Sequence, residues 1–237
     1  MDYSFVKARA EGLRSAIEAA ALRSGRRGSE VELLAVTKLR PIEAAAAAWE
    51  AGIRSFGESR VQEAALKFPA FLAERGGARL DMIGHLQSNK AKRAVALFAR
   101  VQSVDSLELL ELLDERAREA EARLEVLLEL HTGEESKEGF RDADELFRAL
   151  ETYLSRRDRS LALKGLMTVA PLVAGGDAPV RASFGALREA LEGARRRFGL
   201  EGFDVLSMGM SGDYEIAVEE GSSLVRIGAA LFGERTA

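Results

Sequence analysis

Short apolar runs punctuate the chain at Leu33 to Val36, Arg54 to Phe56, Leu80 to Ile83, Val101 to Val104, Leu124 to Leu130, Leu163 to Val169, Phe203 to Met208 and Leu224 to Ile227. Each is too brief to be a helix of its own, which predicts strands. Between them lie segments rich in Ala, Leu, Glu and Arg with helical apolar spacing, for example Ile42 to Ala51, Leu107 to Ala122, Ala143 to Leu154 and Val180 to Phe198. Ahead of the first run, residues 2 to 24 set Phe5, Leu13, Ile17 and Leu22 among alanines and charges, an amphipathic helix that ends at the turn-rich Ser24-Gly25-Arg26-Arg27-Gly28. Strand then helix, repeated through the chain, predicts an α/β fold: one (β/α)8 TIM-type barrel with an extra N-terminal helix, a single domain over residues 1–237. An open doubly wound sheet is the main competitor, and units of similar length favour closure. The longest irregular stretch, Thr132 to Asp142, reads as a polar loop inside the fifth unit.

Composition narrows the function classes. With 47% hydrophobic and 30% charged residues and a formal net charge of -4, the chain is that of a globular protein with no basic footprint for nucleic acid. Cysteine is absent, which excludes disulfides, thiolate metal sites and thiol catalysis. The N-terminus carries Asp2 and Glu11 and has no secretory pattern, and no apolar run reaches the roughly 18 residues of a membrane span. A cytoplasmic protein without a membrane partner is expected.

In such a barrel the chemistry collects at the C-terminal strand ends. There the chain places Thr37-Lys38, Gly57-Glu58-Ser59, Gly84-His85, Asp105-Ser106, His131-Thr132-Gly133, Thr168 to Pro171, Gly209 to Asp213, and Arg226-Ile227-Gly228. A strand-ending lysine taken alone marks emergence into solvent. The segment LSMGMSGDYEIAV, however, sets glycines and serines between strand seven and a helix, and VRIGAALFG follows at strand eight, where barrels of this type hold phosphate. Strand one neighbours strand eight, so Lys38 comes within reach of a phosphate held there. A lysine facing a phosphorylated small molecule implies either charge pairing or a Schiff base to an aldehyde, and burial beside Arg226 would favour the neutral, nucleophilic amine. Pyridoxal 5'-phosphate uses both ends of such a site. The two histidines, His85 and His131, make a poor metal site without cysteine or a spaced carboxylate cluster. Met167 reads equally as barrel core or pocket lining, Glu58 and Gln62 as the start of a helix, and Ser136-Lys137 as an exposed loop.

These strand ends resemble the pyridoxal phosphate homeostasis proteins, single-domain relatives of the alanine racemase barrel. The resemblance runs through LLAVTK, FGESRVQEA (56 to 64), MIGHLQSNKAK (82 to 92), GEESKEGF (133 to 140), KGLMTVAP (164 to 171), LSMGMSGD (206 to 213) and VRIGAALFG (225 to 233). It implies that Lys38 holds pyridoxal phosphate as a Schiff base. It further implies that Ser211 and the backbone of Gly228 and Ala229 cradle the phosphate and that Arg226 lies near the pyridine nitrogen. His131 and Met167 are then expected beside the cofactor. The chain departs from the family pattern at Ser59 and His131, where Asn is usual, and at Ala229, where Thr is usual. Losing that threonine hydroxyl weakens phosphate binding by about 0.5 to 1.5 kcal/mol.

Two functions fit these residues. One is a carrier that buffers the cofactor and delivers it to apoenzymes; the other is an amino-acid racemase. Racemases of this barrel type take a second base from a C-terminal β domain and a phosphate-binding tyrosine four residues after the lysine. Here position 42 is Ile, no C-terminal β domain is expected after strand eight, and the tyrosines are only Tyr3, Tyr153 and Tyr214. A monomeric carrier with no dedicated reaction, and at most weak racemase-type side activity, is therefore the expectation.

Overall fold

The computed structural model describes residues 2–133, 139–171 and 176–234. Within them α1 (Val6–Arg23) leads into a repeated strand-helix unit. β1 (Glu32–Val36) is followed by α2 (Ile42–Glu50), β2 (Ser55–Glu58) by α3 (Val61–Lys67) and α4 (Pro69–Glu74), and β3 (Arg79–Met82) by α5 (Ala91–Leu97). β4 (Arg100–Val104) precedes α6 (Leu107–Glu119), β5 (Glu125–Glu129) precedes α7 (Ala143–Leu154), and β6 (Ala162–Met167) precedes α8 (Asp177–Phe198). β7 (Val205–Ser207), α9 (Tyr214–Glu219), β8 (Leu224–Ile227) and α10 (Ala229–Phe232) complete the series. The strands form a closed parallel barrel in chain order, with β8 returning to β1 through the pairs Glu32 with Leu224 and Ala35 with Ile227. The expected barrel is the one that forms. The Ser136-Lys137 loop lies outside the described residues.

Local chemistry accounts for the element ends. Ser106 Oγ accepts from the Leu109 amide to start α6, and Asp142 Oδ1 accepts from the Glu145 amide to start α7. α8 carries Asp177 in its first turn and Arg195, Arg196 and Arg197 in its last, then stops at Gly199 with φ 62. The β2 to β3 crossover holds two short helices because Pro69 lacks the N–H that would continue α3, and it opens α4 instead.

One apolar core fills the layer between barrel and helices, joining strand residues such as Ala35, Phe56, Leu80, Val126, Leu166 and Ile227 to Leu13, Ala45, Leu110, Leu150 and Leu187 of the helices. Leu34, Leu127, Met167 and Leu224 are equally buried but stand apart from it, on the other face of their strands. That inner face also carries a polar ladder. Ser55 Oγ donates to Glu32, and Arg100 bridges Glu32 (3.2 Å) and Asp81 (2.7 Å). Gln102 Nε2 donates to Asp81 (2.6 Å) while its Oε1 accepts from Ser207 Oγ (2.6 Å), and Ser207 in turn accepts from Arg226 (2.7 Å). Barrels of this kind usually fill the space with branched aliphatics. Here a run of paired charges and amides crosses it, from the start of β1 and β4 to the upper half of β8.

Candidate functional site

Lys38 lies two residues beyond β1, half-buried, at the C-terminal mouth. Pairing of Ala35 with Ile227 brings the chain after β8 alongside its root, and a methyl group added to Gly228 would lie 3.6 Å from Val36 Cβ. The amides of Gly228 and Ala230 converge on Ser211 Oγ at 3.3 and 3.1 Å. The second amide is thus that of Ala230, one position beyond Ala229. Ser211 is held in place by its own turn. Asp213 Oδ1 accepts from the Met210 amide at 2.5 Å, and Gly209 has φ 96 with its Cα facing Ala217, where a Cβ would come within 2.6 Å.

Arg226 is 4% exposed. Its Nη1 donates to Ser207 O and Ser207 Oγ, both at 2.7 Å, and its Nη2 to Thr168 O at 2.8 Å. These three bonds use three of the five guanidinium N–H groups. Burial lowers its pKa to about 10, against the opposing pull of Glu129 and Asp213. The guanidinium therefore stays charged at neutral pH while having lost most of its water. Asp213 is shifted the other way, its carboxyl pushed up by burial even though the Met210 amide and Arg226 favour the anion.

Met167 is 1% exposed and pairs in register with Glu129 and Ser207, which puts its side chain on the inner face below the mouth. His131 is half-buried just after β5, its amide donating to Phe140 O at 2.9 Å. His85 stands further out, with Nδ1 3.1 Å from Asp105 Oδ2. Among the described residues no group of His, Asp and Glu is placed to hold a metal ion. Glu58, read from sequence as a helix start, is the last residue of β2 and fully buried. It points outward to Lys67 of α3 at 2.6 Å, and burial pushes its carboxyl up.

Sequence reasoning missed Ser207 and Gln102, and it set Thr168 and Asp213 at strand ends without giving them a role. The available signal was a polar residue inside an apolar strand run, as in VQSV and VLSM. A period of two shows that such a residue has a preferred face but not that the face is the barrel interior.

The closed parallel barrel with these residues at its mouth is of the alanine racemase N-terminal type. The corresponding family description, "Alanine racemase, N-terminal domain", matches residues 13–236. The chain belongs to the pyridoxal phosphate homeostasis protein family: it is 39% identical over 229 residues to the member from Vibrio cholerae, covering 95% of this chain and 94% of that one. It is also similar to PipY of Synechococcus elongatus, solved with pyridoxal phosphate bound, at 36% identity and a TM-score of 0.79, covering 92% of this chain and 99% of PipY. Alanine racemase of Clostridium difficile shares the fold alone, at 13% identity and a TM-score of 0.75, with 94% of this chain matched to 56% of the enzyme.

Proposed function

We propose that this protein binds pyridoxal 5'-phosphate at the barrel mouth through Lys38, and that it buffers the cofactor and hands it on without running a dedicated reaction. The observation that carries the reading is that the strand end bearing Lys38, a turn with two amides and a hydroxyl, and a desolvated guanidinium meet at one end of a closed barrel. Those groups fit the cofactor's aldehyde, phosphate and ring. When bound, the cofactor supplies an aldehyde that condenses with a primary amine and releases water. Lys38 provides that amine. Ser211 and the backbone of Gly228, Ala229 and Ala230 hold the phosphate, with Ala229 contributing no hydroxyl. Arg226, protonated at neutral pH, donates hydrogen bonds and keeps its proton, so it does not strengthen the ring as an electron sink. Met167 supplies an apolar wall and His131 a polar edge.

The carrier role is supported by the homeostasis names of the relatives and by Ile42, where racemases of this fold place a phosphate-binding tyrosine. Tyr153 has its hydroxyl tied to Asp114 at 2.7 Å, between α7 and α6 and away from the mouth. Apoenzymes that require the cofactor are the recipients, and the protein acts as a monomer in the cytoplasm. The absence of cysteine fits that compartment, and no described helix is long and apolar enough to cross a membrane.

Purified protein is expected to be yellow, and borohydride reduction to fix the cofactor on the peptide containing Lys38, with Lys38→Ala colourless. Wild-type protein that takes up no pyridoxal phosphate would overturn the site. With a panel of L-amino acids, inversion at ~1 s⁻¹ or faster would overturn the carrier role.

A further inference from the structure

The turn that carries Lys38 is gripped from outside the barrel. Thr37 to Arg40 leave β1 through a tight bend in which the Arg40 amide donates to Thr37 O at 3.0 Å. Leu39 sits at φ 58, a left-handed conformation that a leucine adopts only when its surroundings impose it. The surroundings are α3. Lys67 Nζ donates to Thr37 O at 2.9 Å and to Arg40 O at 3.0 Å, so one ammonium bridges both ends of the bend. Glu63, one helical turn earlier, accepts from the Leu39 amide at 2.7 Å, and its carboxylate lies 3.1 Å from the same ammonium. Glu58 Oε1 completes the grip, 2.6 Å from Lys67 Nζ and 2.5 Å from Thr37 Oγ1.

This arrangement is more than a strand end needs. Lys67 is 10% exposed and Glu58 0%, so the pair is held in a medium where its hydrogen bonds are worth keeping and costly to break. Among the described residues Glu58 Oε2 has no hydrogen-bond partner, so the carboxylate's contacts there are those of Oε1. Those contacts go to Lys67 and to Thr37, the residue before Lys38. Among the described residues, every polar contact of the Lys67 ammonium is thus made to the bend or to a carboxylate that itself grips the bend.

We infer that Lys67 is a positioning residue, which with Glu58 and Glu63 fixes the Thr37–Arg40 bend so that Lys38 meets an incoming aldehyde pre-aligned. The inference rests on Lys38 being the attachment point. A lysine on a loose bend samples many directions, and each capture must first pay the entropy of aligning it. The clamp removes that cost before the ligand arrives, and it acts on the rate of uptake.

The test compares wild type, Lys67→Met/Glu58→Gln, which removes both buried charges together, and Lys67→Arg/Glu58, in which Glu58 is retained and the cation is conserved. Stopped-flow uptake of pyridoxal phosphate and the absorption spectrum of the loaded protein are read beside the melting temperature of the ligand-free protein. Borohydride mapping on wild type separately tests the attachment point. Uptake slowed roughly tenfold in the Met/Gln variant, with a displaced absorption maximum and partial recovery in the arginine variant, is the expected result. Labelling of wild type anywhere but Lys38 would refute the attachment point itself. Labelling at Lys38 together with wild-type uptake and spectrum in a folded Met/Gln variant would refute the clamp while leaving the attachment intact. Should Met/Gln fail to fold, Glu63→Gln, which retains an acceptor for the Leu39 amide but weakens the tie to Lys67, is expected to slow uptake severalfold, and unchanged uptake in it refutes the clamp.

Discussion

Tyr153 shows how a single residue ties stability to pH. Its hydroxyl donates to buried Asp114, which also accepts from the Ser160 amide at 2.7 Å, and burial followed by that carboxylate pushes the phenol well above its usual value. The native state therefore keeps a proton that the unfolded chain releases from about pH 10 upward. The stability this contributes is intact below that pH and is lost as pH rises beyond it. Tyr153→Phe is expected to cost about 1 to 3 kcal/mol at pH 7. Urea unfolding at pH 7 and above pH 10 should show the gap to wild type narrowing; a gap independent of pH would count against this account. At this scale the candidate site was legible where a residue is unusual for its place: Lys38 is a charge at the edge of one apolar run and Arg226 a charge inside another, and Ser211 lies between glycines. Ser207 and Lys67 were not legible, because a serine in a strand and a lysine on a helix are ordinary until the topology gives them neighbours.

Among the elements, β6 is tightly held at Gly165. Gly165 sits at φ 154 where the β5 pairing shifts register, and a Cβ there would come within 2.0 Å of Val205 O on β7. Neither backbone can yield without breaking the ladder between β6 and β7. Gly165→Ala is expected to cost about 3 kcal/mol or more, seen as a large fall in the urea midpoint, and a near-native midpoint would show that the close approach relaxes easily. The strand runs themselves were readable because their apolar content is dense. Their exact ends were less so: β2 runs on to Glu58 because Glu58 still pairs with Met82, a partner supplied by another part of the chain.

The molecule as a whole is organised around a polar interior. Gln102 joins the Asp81 and Arg100 pair below to Ser207 and Arg226 above. Gln102→Leu would strip a partner from each side, and is expected to lower stability by about 1 to 3 kcal/mol and to weaken cofactor uptake through Arg226. Because these groups are buried, the loss should be the same at about 0.1 M and 1 M salt. Equal stability of variant and wild type in urea would show that the ladder is dispensable. Closure of β8 onto β1 has a further consequence for how the protein is made. The lysine at position 38 and the arginine at position 226 are separated by most of the chain. At about 5 to 20 residues per second, the amine waits on the ribosome for tens of seconds or less before the last strand is synthesised. On the proposed reading, a nascent chain until then has the attachment lysine without the turn and strand that would hold the phosphate, so tight capture of the aldehyde waits for the last strand.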